Sequence, residues 1–293
     1  MSQTETINHG AGVSVPTQPA SVRTIDPSIR PHNERQAAVW SSGGDAYDAV
    51  SRQIATALEH CVARLDPKPE QKILDLATGT GWTSRLVAGR GANVIGVDIA
   101  SELLVAATGR ARKEGLEIEY QIGDAEQLPF ADQAFDGVIS TFGVMFASNP
   151  EAVAVELARV CKRRGRIALA TWLPGGGVFK MFQVMRAFMP PPPSSALPSP
   201  FEWGSMDRVR ALLAGDFDLQ FEEGVATYFA RDGSAAWDTF VTGYGPTKTL
   251  AKSLDDSRRV QLKEAFIAFH DSYRTELGIT VPREYLITLG RRK

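Results

Sequence analysis

The chain has 293 residues, of which 43% are hydrophobic and 23% are charged, a composition typical of a globular protein with a substantial core. Its 32 Lys and Arg residues against 34 Asp and Glu residues give a net charge of −2, without the basic bias that phosphate-backbone binding usually requires. The two cysteines, Cys61 and Cys161, lie far apart and have no Cys or His at metal-ligand spacing, so the sequence predicts neither a disulfide framework nor a metal site.

Residues 1–44 are predicted to form an irregular N-terminal arm, because most of this stretch is rich in Ser, Thr, Pro and Gly. The arm has no basic segment followed by an apolar run, and the longest apolar stretches of the chain are strand-sized. We therefore expect a cytoplasmic protein with neither a signal peptide nor a stable membrane association.

Residues 45–293 are predicted to form one α/β domain. Apolar residues recur at helical spacing over residues 45–65, and short β-type runs then alternate with helical segments as far as Trp172. This alternation predicts a parallel sheet with helices on both faces. Beyond Trp172, residues 174–205 and 234–277 are predicted to form a helical lid, with helical stretches over residues 234–243 and 246–276. Two further strands are expected, over residues 218–230 and, at the end of the chain, over residues 285–289.

A glycine-containing turn follows the first predicted strand. The strand Ile73 to Ala77 leads into Thr78-Gly79-Thr80-Gly81, where small residues let a ligand approach the backbone and the next helix offers free N–H groups. Asp98 ends the second strand, at a position where a carboxylate accepts hydrogen bonds from ribose hydroxyls. A nicotinamide cofactor is compatible with these features, but Asp75 suits an ammonium better than a pyrophosphate.

A third motif runs from Gly123-Asp124-Ala125 to Leu128-Pro129-Phe130 and is followed by the strand that begins Phe135-Asp136-Gly137. With this motif, residues 45–172 resemble the class I methyltransferases that use S-adenosylmethionine (SAM), in the branch of the ubiquinone and menaquinone biosynthesis methyltransferases. The resemblance implies a Rossmann-like sheet, mostly parallel with an antiparallel C-terminal strand, and SAM as the cofactor.

The resemblance also implies a set of residues around SAM. The methionine part would lie against Asp75, Ala77, Thr78, Gly79 and Gly81, with Thr141 and Phe142 near the transferred methyl group. Asp98 would hold the ribose. The adenine would meet Ile99, Asp124 and Ala125, and the helix that often covers SAM in this branch would contribute Trp40 and Tyr47.

Several of these residues have purely structural alternatives. Asp98 can cap the helix that begins near Ser101, and Asp124 can stabilise a turn. Trp40 and Tyr47 can simply pack onto the sheet.

The methyl acceptor is expected to be a small, largely apolar molecule, because the predicted lid is rich in aromatic residues and Met. Residues expected at the acceptor are Met145, Phe146, Trp172, Phe182, Trp237 and Tyr244. His270 is a candidate general base by residue type, although a single His in such a helix is more often a surface or packing residue.

Three other functions remain open at this point. A SAM-binding protein without transferase activity is compatible with the sequence, because methyl transfer requires no diagnostic catalytic residue. A nucleotide-dependent oxidoreductase is disfavoured by Asp75 and the Gly123-Asp124 motif. Methylation of RNA or DNA is disfavoured by the acidic pI near 6.1 and by Ser140 to Gly143 in place of an Asn/Asp-Pro-Pro-Tyr motif. The sequence identifies neither the acceptor atom nor the oligomeric state.

Overall fold

The computed structural model describes residue 1, residues 28–191 and residues 198–293. The first part of the predicted arm, residues 2–27, lies outside the described residues, as do residues 192–197 of the predicted lid. No helix in the described ranges is long and apolar enough to cross a membrane.

The centre of the fold is a seven-stranded sheet. Its strands are β1 (Lys72–Leu76), β2 (Asn93–Asp98), β3 (Glu119–Ile122), β4 (Phe135–Thr141), β5 (Cys161–Trp172), β6 (Phe217–Val225) and β10 (Glu284–Arg292). Their order across the sheet is β3-β2-β1-β4-β5-β10-β6. The first five pair in parallel, whereas β10 is antiparallel to both β5 and β6. The predicted Rossmann-like sheet with an antiparallel C-terminal strand is therefore confirmed.

Helices cover the sheet on both faces, and this arrangement explains why the central strands are apolar. The helices are α1 (Glu34–Ser41), α2 (Tyr47–Arg52), α3 (Ala55–Leu65), α4 (Trp82–Ala88), α5 (Ser101–Lys113), α6 (Pro150–Val160), α7 (Gly177–Arg186), α8 (Met206–Leu213), α9 (Gly233–Gly243), α10 (Gly245–Ser253) and α11 (Asp256–Asp271). In β1, Ile73, Leu74 and Leu76 are at most 1% exposed, as expected for a parallel strand covered on both faces.

The four helices α7, α9, α10 and α11 lie in the segments predicted to form a lid, and together they are called the helical lid below. Within it α9 packs against α10 and α11, and α7 packs against α11. The lid also contacts the N-terminal helices, because α1 packs on α10 and α2 on α9. A small sheet of order β7-β9-β8 adjoins the lid; its strands are β7 (Tyr228–Ala230), β8 (Arg274–Thr275) and β9 (Gly278–Val281).

Four predictions about local structure were wrong. The predicted irregular arm includes the helix α1, and the single helix over residues 45–65 is broken between α2 and α3. The predicted strand over residues 218–230 is divided between β6 and β7, which belong to different sheets. The helical stretch 246–276 is two helices followed by β8, because Asp255 caps α11 after Leu254 has left the helical conformation.

Candidate functional site

A cleft that is partly open to solvent lies at the carboxyl ends of the parallel strands. Leu76, Asp98 and Thr141 end β1, β2 and β4 on its floor, and Gly123 follows β3. This is the edge at which open α/β sheets bind ligands. Ten of the thirteen residues predicted to bind the cofactor line the cleft, namely Trp40, Tyr47, Ala77, Gly79, Asp98, Ile99, Asp124, Ala125, Thr141 and Phe142.

The other three predicted cofactor residues lie beside the cleft, in or next to the turn after β1. The hydroxyl groups of Thr78 and Ser84 each donate a hydrogen bond of 2.6 Å to Oδ2 of Asp75. The amide of Gly81 donates to the carbonyl of Thr78 at 3.0 Å and leads into α4. Burial raises the pKa of Asp75 to about 6, and its Oδ1 has no hydrogen-bond partner among the described residues.

Asp98 connects the end of β2 to the glycine turn. Its Oδ2 accepts a hydrogen bond from the amide of Gly79 at 2.8 Å, and its Oδ1 accepts one from the amide of Ala100 at 2.9 Å. Burial raises the pKa of Asp98 to about 6. Each carboxylate oxygen has two lone pairs, so Asp98 fixes the turn and still has acceptor capacity toward the cleft that it lines.

The backbone on the cleft floor is strained at two residues that are not glycine. Ala77 has φ of 56° and Phe142 has φ of 57°, a left-handed conformation that costs about 1–3 kcal/mol for such residues. The turns that contain them touch, because a Cβ added to Gly143 would lie 2.3 Å from Cβ of Ala77. Gly143 therefore allows the two turns to approach closely under the cleft.

The segment before α1 is tied to the loop after β3, a feature that the sequence analysis missed. Asp124 Oδ2 accepts hydrogen bonds from the amide of Arg30 at 3.1 Å and from the side-chain amide of Asn33 at 2.9 Å. The Nε2 atom of His32 lies 2.7 Å from Glu126 Oε2. Residues 30–33 thus close one end of the cleft.

The helix α2 is anchored to the glycine turn by Asp48. Its Oδ1 accepts a hydrogen bond from Nε1 of Trp82 at 2.7 Å and forms an ion pair with Nε of Arg110 at 2.9 Å. This anchor places Tyr47 over the turn, since a Cβ added to Gly79 would lie 3.4 Å from Cε1 of Tyr47. The side chain of Asp48 therefore sets the position of one wall of the cleft.

Aromatic side chains continue from the cleft into the helical lid. Phe146 lines the cleft, its ring lies 4.9 Å from that of Trp40 and 6.1 Å from that of Phe182, and Tyr244 lies 5.5 Å from Trp40. On the floor, the ring of Trp172 stacks on Phe142 at 3.8 Å. Of the six predicted acceptor residues, only Phe146 lines the cleft. Phe182 and Tyr244 continue the aromatic wall from it, Trp172 lies beneath Phe142, and Met145 is buried next to Phe146 in the chain.

Trp237 and His270 do not line the cleft. The ring of Trp237 packs against Phe266 of α11 at 5.6 Å. Nδ1 of His270 is 2.8 Å from the carbonyl oxygen of Phe266, and burial lowers the pKa of His270 to about 4. The structure thus places the predicted general base within the aromatic interior of the lid, where it packs instead of facing the cleft.

Comparisons with known proteins identify a methyltransferase domain in this chain. A family model described as a methyltransferase domain matches residues 74–169, which include β1 to most of β5. An uncharacterized protein of Mycobacterium bovis is 35% identical over 266 residues, covering 87% of this chain and 92% of that protein. A demethylmenaquinone methyltransferase of Thermobifida fusca is 36% identical over 139 residues, 45% of this chain and 59% of that enzyme.

Similarity to solved structures covers most of the chain. A phosphoethanolamine N-methyltransferase of Haemonchus contortus, solved in complex with SAM, has a TM-score of 0.52 and 18% identity, covering 81% of this chain and 53% of that one. The sheet order and the matched methyltransferase domain agree. The chain belongs to the class I SAM-dependent methyltransferases, and its cofactor is SAM.

Proposed function

We propose that this enzyme methylates a small and largely apolar molecule that binds between the cleft and the helical lid. The observation that carries the proposal is the aromatic wall formed by Trp40, Phe146, Phe182 and Tyr244, which begins in the cleft and ends in the lid. Such a wall favours a planar or aliphatic acceptor over a sugar, a nucleic acid or a polar peptide.

The residues of the cleft fit SAM. The buried and unpartnered Oδ1 of Asp75 is suited to a cationic amino group, provided that this carboxyl is ionised. Asp98 retains acceptor capacity for ribose hydroxyls, and Ile99 with Ala125 offers an apolar surface to the adenine. Asp124 Oδ2 accepts hydrogen bonds from Arg30 and Asn33 and so closes the site, whereas Oδ1 accepts only one, from the amide of Glu126, and retains acceptor capacity for the adenine.

The remaining cleft residues orient the reactants and exclude water. When bound, SAM supplies a methyl group activated by a sulfonium. Thr141 and Phe142 would lie near this methyl group, with Ala77 and Gly79 along the methionine part. Because the displacement requires the acceptor atom in line with the leaving sulfur, holding both molecules rigidly accounts for a large part of the barrier reduction, about 7–11 kcal/mol in favourable intramolecular cases.

We assign no dedicated general base. His270 packs inside the lid, Asp98 in the cleft and Asp75 beside it are assigned to the cofactor, and Asp124 is held by the segment before α1. An acceptor that is already deprotonated or that loses its proton to solvent needs no such base. The proposal therefore favours acceptors with an acidic hydroxyl or carbon, or with an unprotonated amine.

The test combines cofactor binding with a screen of acceptors. Calorimetry should show that SAM binds to the purified protein, and a coupled assay should then detect S-adenosylhomocysteine released with members of a library of small apolar phenols, acids and amines. Release only with sugars, peptides or nucleic acids would contradict the assignment of the acceptor. Binding of SAM with no release from any class of acceptor would favour a binding protein without transferase activity.

A further inference from the structure

Arg283 is buried between the helical lid and the small sheet, and no carboxylate of the described residues pairs with it. Its side chain is 4% exposed, and its Nη2 atom has no hydrogen-bond partner within residues 28–191 and 198–293. Across the same ranges no carboxylate forms an ion pair with it, although nearly every other buried or half-buried arginine side chain has a carbonyl or carboxylate partner. A buried charge without a counter-ion is unfavourable, which suggests a ligand that compensates it.

The guanidinium of Arg283 lies among aromatic rings. Cζ of Arg283 is 4.0 Å from the ring centroid of Tyr228 and 5.4 Å from that of Phe240. Burial lowers the pKa of Arg283 to about 10, so the guanidinium stays charged at neutral pH, whereas the lowered pKa of His270 keeps that imidazole neutral. The rings cover the face of the guanidinium, and Nη2 at its edge has no acceptor among the described residues.

Tyr244 connects this region to the cleft. Its ring lies 5.5 Å from Phe240 on the side of Arg283, and 5.5 Å from Trp40 and 6.5 Å from Phe182 on the side of the cleft. Tyr244 stands where α9 ends and α10 begins, with an extended backbone between the two helices. An acceptor that lies against Trp40 and Phe182 is therefore separated from Arg283 by the side chain of Tyr244.

We propose that Arg283 binds a carboxylate of the methyl acceptor, with Tyr244 as the side chain that moves to admit it. The acceptor would then be an apolar molecule, aromatic or aliphatic, with a single negative charge. The planar guanidinium matches a carboxylate through two parallel hydrogen bonds, and the low-dielectric surroundings strengthen this pairing. This inference rests on the proposed function, which it extends by assigning the charge of the acceptor.

The experiment measures the binding of matched charged and neutral probes. 1-Naphthoate and decanoate, with their primary amides, are titrated into protein saturated with S-adenosylhomocysteine, and affinities are compared for the wild type and for Arg283→Met. We expect the wild type to prefer each carboxylate to its amide, and Arg283→Met to weaken carboxylate binding by about 10- to 100-fold, the range for hydrogen bonds to a charged group. Amide binding should change little.

Controls separate the site from the fold and from the proposed function. Arg291→Met removes an exposed arginine on β10 and should leave all four affinities unchanged. SAM affinity measured in the same variants reports on the cofactor site alone. If Arg283→Met does not fold, Arg283→Lys and the side-chain NMR signal of Arg283 in the wild type, titrated with 1-naphthoate and its amide, serve instead.

Two binding results would each overturn the proposal. One is a wild-type protein that binds neither carboxylate more tightly than its amide, and the other is a folded Arg283→Met protein with unchanged carboxylate affinity. A screen that finds only neutral acceptors, with SAM bound normally, would leave the proposed function intact and reject the role of Arg283.

Discussion

The side-chain amide of Asn33 donates a hydrogen bond of 2.9 Å to Oδ2 of Asp124, which joins the segment before α1 to the loop after β3 across 91 positions of the chain. The hydroxyl of Ser148 in turn donates to Oδ1 of Asn33 at 2.7 Å. Asn33 is 3% exposed and lines the cleft, so one buried side chain connects the N-terminal segment to two of the loops at the sheet edge.

We predict that Asn33→Ala accelerates the dissociation of SAM. The change removes a hydrogen bond to a carboxylate, worth about 1.5 kcal/mol or more, which corresponds to at least about a tenfold faster off-rate if the segment must open before SAM leaves. Stopped-flow displacement of SAM by excess S-adenosylhomocysteine measures this rate. Asn93→Ala, at the exposed start of β2, is the control and should behave as the wild type. An unchanged off-rate would show that residues 30–33 do not retain the cofactor.

Asp98→Ala should weaken SAM binding by about 1.5–3 kcal/mol, because it removes the proposed acceptor of the ribose hydroxyls. Asp98 also accepts hydrogen bonds from the amides of Gly79 and Ala100. Asp98→Asn, which keeps the shape of the side chain and removes its charge, is therefore measured beside Asp98→Ala. Calorimetry gives the affinity, and thermal unfolding shows whether the turn remains in place. Asp207→Ala, on the exposed side of α8, serves as control. Wild-type affinity in a folded Asp98→Ala protein would refute the assignment.

SAM affinity should increase with pH between about 5 and 7. Burial raises the pKa of both Asp75 and Asp98 to about 6, and the proposed contacts to an ammonium and to hydroxyl donors require ionised carboxylates. Each group that must lose a proton weakens binding about tenfold at one pH unit below its pKa. Calorimetry at pH 5, 6 and 7 measures the trend, and Asp98→Asn should flatten part of it. A pH-independent affinity would mean that both carboxylates are already ionised or do not bind SAM.

The cofactor half of the site was predictable because it is local in sequence. Parallel strands bring their carboxyl ends to one edge, so the turn at Gly79, the carboxylate of Asp98 and the loop at Asp124 meet whenever β1, β2 and β3 are correctly assigned. These strands could be assigned from the sequence because each of them begins or ends at a distinctive turn motif.

The covering segments were not predictable in the same way. The polar residues 30–36 have no strong apolar periodicity, and their order depends on contacts with Asp124 and Glu126 far along the chain. Arg283 gave no signal either, because an isolated arginine beside a short strand is ordinarily solvated. Its burial follows from the packing of β9 against the lid, which is a long-range arrangement.

Phe182 and Trp237 should differ in their effects, although the sequence predicted the same role for both. Phe182 is half-buried beside Phe146. Phe182→Ala should therefore remove contact area on the acceptor side alone, which reduces acceptor turnover and leaves SAM affinity within about twofold. Trp237 is 5% exposed against Phe266, so Trp237→Ala should lower the free energy of unfolding by about 3–5 kcal/mol. Denaturant unfolding and S-adenosylhomocysteine release separate the two effects. An equal loss of stability in both variants would show that Phe182, like Trp237, stabilises the fold and does not bind the acceptor.

His270→Leu should make the protein less sensitive to acid. The folded-state pKa of His270 is lowered to about 4, below the value near 6.5 of an unfolded histidine, so the stability it contributes is present above about pH 6.5 and is lost as pH falls toward 4. Its Nε2 has no partner in the described parts of the chain, so an apolar side chain leaves no new unpaired group at that atom.

The measurement is the free energy of unfolding at pH 7 and pH 5 for the wild type, His270→Leu and Gln261→Leu, a control on the exposed face of α11. Asp75 and Asp98 act in the opposite sense over this range, because their raised pKa values favour the folded state when protonated, so only the difference between variants isolates His270. We expect the loss of stability from pH 7 to pH 5 to be smaller in His270→Leu than in the wild type and unchanged in Gln261→Leu. An identical loss in all three proteins would mean that His270 is not held neutral in the lid, and a loss of acceptor turnover with unaltered stability would restore it as a candidate base.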